Sequence, residues 1–222
     1  VGEIPNTSQF YKGSIAEVMV LNTAASDTER LKAESYLAIK YGVTLGTTTN
    51  PVSYLSSAGT EVWEKDPKYQ RKIIGIGRDD KSVLLQKQSH QIDDSVRIYV
   101  EKLETTNNDN NGSFINDNSF VVMGSSTGKL CATPSSNSSL PIVCGLFSML
   151  ERNWKIKPTN MKDKFNIDIK LADCAMPGNV TSKDLRLLVS ETGNFGDGST
   201  KCFSENDINI SFSNNTISII GI

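Results

Sequence analysis

The polar groups best placed to act together in this sequence are Arg78-Asp79-Asp80 and, a few residues on, Gln86 and Gln88. A guanidinium takes a carboxylate in a two-pronged salt bridge. Arg78 beside Asp79, Asp80 or a carboxylate of a neighbouring strand therefore reads first as the fastener of a turn. The same five side chains, converging on a shallow surface, would instead hydrogen-bond sugar hydroxyls or hold a cation. A second candidate is Asn107, Asp109 and Asn111 followed by Gly112, which places side-chain oxygens at alternate positions like the start of a calcium loop. The twelfth position of that loop is Asn118, where a bidentate Glu is wanted, so an exposed Asn-rich loop is the simpler reading.

Catalytic arrangements find little support. His90 is the sole imidazole, so any Ser-His-Asp or Cys-His site would have to use it, and its setting, Gln86 to Gln91, reads as a polar strand end with a solvated ring. The adjacent pairs Asp79-Asp80 and Asp93-Asp94 read as turn chemistry, in which Asp side chains bind nearby backbone groups. Gly75 and Gly77 lie in a strand pattern with no helix behind it, which excludes a phosphate loop. Trp63 and Trp154 are expected in the core rather than stacked on sugar rings. Six glycosylation sequons, at Asn6, Asn111, Asn137, Asn179, Asn209 and Asn214, are what chance supplies in a chain so rich in Asn, Ser and Thr.

The four cysteines, Cys131, Cys144, Cys174 and Cys202, include no CxxC, and with one histidine they do not suggest zinc. Two disulfides are expected. Among the alternatives, Cys131–Cys144 would close a Ser-rich loop, and Cys174–Cys202 would clamp the segments on either side of a strand near Leu185.

Twenty-three Lys and Arg against 25 Asp and Glu leave a formal charge of −2, which lacks the basic face a nucleic-acid binder needs. No stretch is long and apolar enough for a membrane-inserted helix. The chain opens at Val1, and a fragment or module of a longer protein is expected.

The elements that must position these residues are mostly strands. One helix is expected over Thr28–Tyr41, with Ser26 and Glu29 at capping-box spacing and Gly42 at the left-handed C-terminal cap. Its untidy apolar face predicts partial burial on two sides, between sheets or domains. Strands are expected at Ser14–Leu21, Val62–Trp63, Lys72–Ile76, Val83–Lys87, Val96–Leu103 and Phe120–Met123. Others follow at Asn153–Lys157, Phe165–Leu171, Leu185–Val189 and Ile208–Phe212, with a terminal hairpin turning on Asn214-Asn215. Thr105–Asn118 and Thr133–Ser139 read as exposed loops. Many short strands with no alternating helices predict an antiparallel β-sandwich with one N-terminal capped α-helix.

The string Lys12 to Asn22, followed by Ser26 to Arg30 and Glu34 to Leu45, resembles the last strand of a laminin-G/concanavalin-like jelly roll and the helix it leads into. The likeness continues through Tyr54–Trp63 and Arg152–Ile156 and is most specific from Gly75 to Ser89. The family it resembles is a domain of unknown function found in large Bacteroidetes cell-surface adhesin-like proteins. The resemblance implies an extracellular, cell-surface location and a non-catalytic role, and it brings no catalytic residues with it.

The expected organisation is residues 1–45 as a terminal strand plus helix, then residues 46–222 as the β-sandwich. The expected function is a structural or adhesive module of a secreted surface protein, not an enzyme. The alternative is a lectin-like module binding glycan or peptide with calcium assistance. No cofactor is expected, with calcium the one ion left open. Expected partners are a surface glycan or protein, neighbouring modules of the same chain, and a second copy through the open edge of the terminal hairpin.

Overall fold

In a computed structural model, the structure describes residues 12–134, 144, 148–171 and 179–222. Helix α1 spans Asp27–Tyr41. Ser26 caps it, accepting the Glu29 N–H while the Glu29 carboxylate takes the Ser26 N–H, and Gly42 ends it in the left-handed region at φ 63°. The strands that follow are β1 (Tyr54–Leu55), β2 (Glu61–Trp63), β3 (Ile74–Asp79), β4 (Leu84–Gln86), β5 (Gln88–His90), β6 (Val96–Tyr99) and β7 (Ser119–Ser125). After them come β8 (Ala132–Pro134), β9 (Ser148–Leu150), β10 (Trp154–Thr159), β11 (Asn166–Lys170), β12 (Leu187–Val189), β13 (Lys201–Phe203), β14 (Asn209–Ser213) and β15 (Thr216–Ile220).

Two antiparallel sheets make the sandwich. One has the order β10-β7-β3-β4, the other β14-β15-β11-β6-β5. Ile74, Ile76, Val121 and Met123 of the first sheet share a core with Val96, Ile98, Ile167, Ile169, Ile217 and Ile219 of the second. The opposite face of the four-stranded sheet is also covered. Phe120 and Val122 pack there with Ala38 and Ile39 of α1 and with Tyr54, Val62 and Trp63 of the β1–β2 pair. A strand buried on both faces cannot alternate in polarity, and every residue of β7 is accordingly buried.

The helix therefore rests on the outside of a sheet. Its floor includes Gly75, where a Cβ would stand 3.5 Å from Ile39, and Gly77, where one would meet Phe120 at 2.5 Å. This is why two glycines sit in a strand. Ser35 couples helix to hairpin, donating to the Leu31 carbonyl at 2.6 Å and accepting the Leu55 N–H at 2.9 Å.

Several expectations need correction. Ser14–Leu21 has strand-like alternation but belongs to no strand, and Ile15, Val18, Met19, Val20 and Leu21 remain exposed. Alternation supplies propensity, but a strand also needs pairing, and no strand among the described residues pairs with this segment. Glu17 ties this segment to the helix, accepting from Lys40 and Tyr41, each at 2.8 Å. Thr105–Asn118 is not simply an exposed loop, because Asn110 and Phe114 within it are buried. Cys144 is bonded to Cys202 across 58 residues, with Cα atoms 6.2 Å apart, so neither expected cysteine pairing holds. The expectation favoured nearby partners, but loop-closure entropy rises too slowly with length to enforce that choice. Cys131 is also disulfide-bonded. Cys174 and the loop residues after Pro134 lie outside the described residues, as do Asn6 and Asn137.

Candidate functional site: a polar cleft at the end of the helix

Arg78, Asp79 and Asp80 are brought together as a fastened turn. Arg78 grips Asp80 through Nε and Nη2 at 2.8 and 2.7 Å, and its Nη1 donates to the Phe114 carbonyl at 3.1 Å. The hydrogen bonds from Arg78 hold the Asp80 carboxyl below the usual carboxylate range. Asp79 points elsewhere. It is 2 % exposed and accepts the Ser57 N–H at 2.8 Å and the Ser57 hydroxyl at 2.5 Å, tying β3 to the turn after β1.

Gln86 and Gln88 belong to a different place. Strands β4 and β5 are the edges of the two different sheets, and only Lys87 separates them. The chain changes sheets here and its ladder is broken, so backbone groups need other partners. Side-chain amides supply them. Asn107 accepts the Lys87 N–H at 2.6 Å and donates to the Leu85 carbonyl at 2.8 Å. Gln88 exchanges two bonds with the Glu104 backbone, at 2.8 and 2.9 Å. Asn110, fully buried, donates to the Val100 and Lys102 carbonyls and accepts the Gly112 N–H.

Of the three candidate calcium ligands, Asn107 is a staple of the sandwich. The Asn107 oxygen faces backbone N–H groups, the Asp109 carboxylate accepts from the Thr106 hydroxyl at 2.7 Å, and Asn111 is exposed. Among the described residues, no group of three His, Cys, Asp or Glu could hold a metal ion. Trp63 is fully buried, its indole N–H donating to Gln70 at 3.1 Å, and the half-buried Trp154 packs against the sandwich core.

The sheet change leaves an open cleft of about 540 Å³, whose lining includes the last turn of α1, strand β5 and the 103–107 loop. Gln86, Gln88 and Asn107 line it together with Tyr41, His90, Asp94, Arg97, Glu104 and Thr105. Arg97 is fixed by Asp94 through Nε at 2.8 Å and Nη2 at 2.5 Å. This contact lowers the Asp94 pKa and raises that of Arg97. The His90 ring is 66 % exposed, with Nδ1 3.0 Å from the Gln91 carbonyl oxygen and 3.9 Å from Asp94. Lys40 Nζ stands 5.5 Å from the centre of the Tyr41 ring, and its bonds to Glu17 and Tyr36 raise its pKa.

Sequence reasoning treated His90 and Asp94 separately and missed Tyr41, Arg97, Glu104 and Thr105. The one local signal was the three-residue spacing of Asp94 and Arg97 around a turn in which Asp94 has φ 53°. Asp93, beside it, does the expected turn work, accepting the Ser95 N–H at 3.2 Å and hydroxyl at 2.6 Å.

These features define a β-sandwich module with a helix on its outer face and a polar cleft where one sheet passes into the other. The chain belongs to the family described as Domain of unknown function (DUF8202), whose sequence profile matches residues 29–219. The matched span begins inside α1 and ends in β15, so the family unit includes the helix. No curated protein and no solved structure is similar enough to this chain to match it.

Proposed function

We propose that this domain is a non-catalytic structural and adhesive module of a large secreted cell-surface protein, of the kind found in Bacteroidetes adhesin-like chains. The observation that supports this reading is what the polar side chains near the loops do. Arg78, Asp79, Asp80, Asn107 and Asn110 hold turns and chain crossings in place. A Cys144–Cys202 bond, of a type that persists in oxidising surroundings, fits an extracellular setting. The test is protease shaving of intact cells carrying the parent protein, with mass spectrometry of the released peptides. Release of peptides from residues 29–219 without lysis is expected, and their retention inside the cell would overturn the reading.

A second reading, a lectin-like module that takes a glycan or peptide, is favoured by one specific observation. The cleft beside α1 gathers hydrogen-bonding side chains around an exposed tyrosine.

A further inference from the structure

We infer that the cleft at the C-terminal end of α1 binds an uncharged, hydroxyl-rich sugar unit directly, without a bridging metal ion. The inference rests on the second reading above and gives it a place and a ligand class.

The charge arrangement selects the class. Lys40 and Arg97 line the cleft with Asp94 and Glu104, so their formal charges cancel. Each is also neutralised locally: Lys40 by Glu17 at 2.8 Å, Arg97 by Asp94, and Glu104 by Lys102 at 3.1 Å. No unbalanced charge remains for an anionic or cationic ligand.

What remains is hydrogen-bonding capacity of both kinds. Arg97 Nη1, His90 Nε2, Gln86 Oε1 and Thr105 Oγ have no partner among the described residues. A sugar hydroxyl both donates and accepts, so neighbouring hydroxyls are best met by mixed donors and acceptors. Arg97 is already immobilised by Asp94, so its free N–H loses little freedom on binding. Tyr41, 41 % exposed, gives the cleft an aromatic wall for the C–H face of a ring. The two carboxylates of the lining are engaged with cations, so direct contacts replace a metal bridge.

The test is affinity electrophoresis of the whole chain through gels containing mannan, galactan, xylan or laminarin, with alginate as an acidic comparator. Each gel is run in EDTA and again in calcium. Retardation by at least one neutral polymer, equal in both buffers, is expected. Thr105→Val, a surface change, and Tyr41→Ala should weaken it about tenfold each, while Tyr41→Phe, which loses the same hydroxyl bond to Glu17 but keeps the ring, keeps the binding. Retardation by alginate alone, or only in calcium, overturns this inference and leaves the second reading standing. Retardation by none of the polymers overturns the inference and reduces the second reading to its peptide arm. Undiminished binding by Tyr41→Ala and Thr105→Val places the site elsewhere and also overturns the inference.

Discussion

Asn107 takes the backbone N–H of Lys87 at 2.6 Å from twenty residues further along the chain. In doing so its side chain stands in for a neighbouring strand where the chain first leaves the four-stranded sheet for the five-stranded one, between β4 and β5. The Asn-rich segment is therefore a splice between two sheets, and the polar cleft is the space this splice leaves open.

Replacing Asn107 by Ala would leave the Lys87 N–H and the Leu85 carbonyl without these partners. The expected cost is about 1–3 kcal/mol of unfolding free energy, the range for orphaned part-buried polar groups. Urea unfolding measures it directly. A resident calcium loop would behave differently, because calcium would then raise the melting temperature by mass action. The splice predicts the same melting curve in calcium and in EDTA.

Asp79 and Asp80 are adjacent but unequal. Asp79→Ala removes a buried carboxylate from two Ser57 donors and is expected to destabilise by roughly 2 kcal/mol. Asp80→Ala breaks a solvent-screened pair with Arg78 and should leave the melting temperature nearly unchanged. Equal effects of the two substitutions in thermal unfolding would refute this division of labour.

The helix and the last hairpin were legible in the sequence because their determinants are local. Ser26, Glu29 and Gly42 act within α1 or one residue beyond it, and Asn214 and Asn215 adopt φ 50° and 58° between adjacent strands. Strand positions were mostly readable, but Gln88–His90 was missed because a polar edge strand has no apolar signature. The cleft was half visible. Gln86, Gln88 and Asn107 were singled out, but they were attached to the Arg78 turn or to a metal that the local spacing suggested. What joins them to Tyr41 and Arg97 is the sheet change at Lys87, a long-range event that no short window contains. Ser14–Leu21 differs for the converse reason: its local pattern is strong, but the described residues form no strand there.

Acid should expose the part played by Asp93. Burial pushes its carboxyl up, but hydrogen bonds from Lys72 and Ser95 outweigh burial and hold it at about 2. A carboxyl depressed in the folded state favours folding above its unfolded value, near 3.9 by the usual reference. That contribution disappears as pH falls toward about 2. Asp93→Asn is thus expected to melt below the wild type at pH 5 and above, with the two curves converging between pH 4 and pH 2. A gap that persists unchanged to pH 2 would show that Asp93 acts through something other than its charge.

Peptide mapping under non-reducing conditions should recover the Cys144 peptide linked to the Cys202 peptide. Reduction of that bond is expected to lower stability by about 2–4 kcal/mol, chiefly by freeing the unfolded chain. A Cys131–Cys144 peptide in the digest would contradict the fold as described.

The same crosslink has a mechanical consequence. The chain between Cys144 and Cys202 contains β10, at the edge of one sheet, and β11, inside the other. Tension applied to the two ends of the domain would pass through the sulfur bridge rather than through those strands. The separation of 58 residues corresponds to roughly 200 Å of extended chain. That contour length stays stored under load while the bridge is oxidised and is released only on reduction, which makes the bond a length limiter on how far the domain can be drawn out.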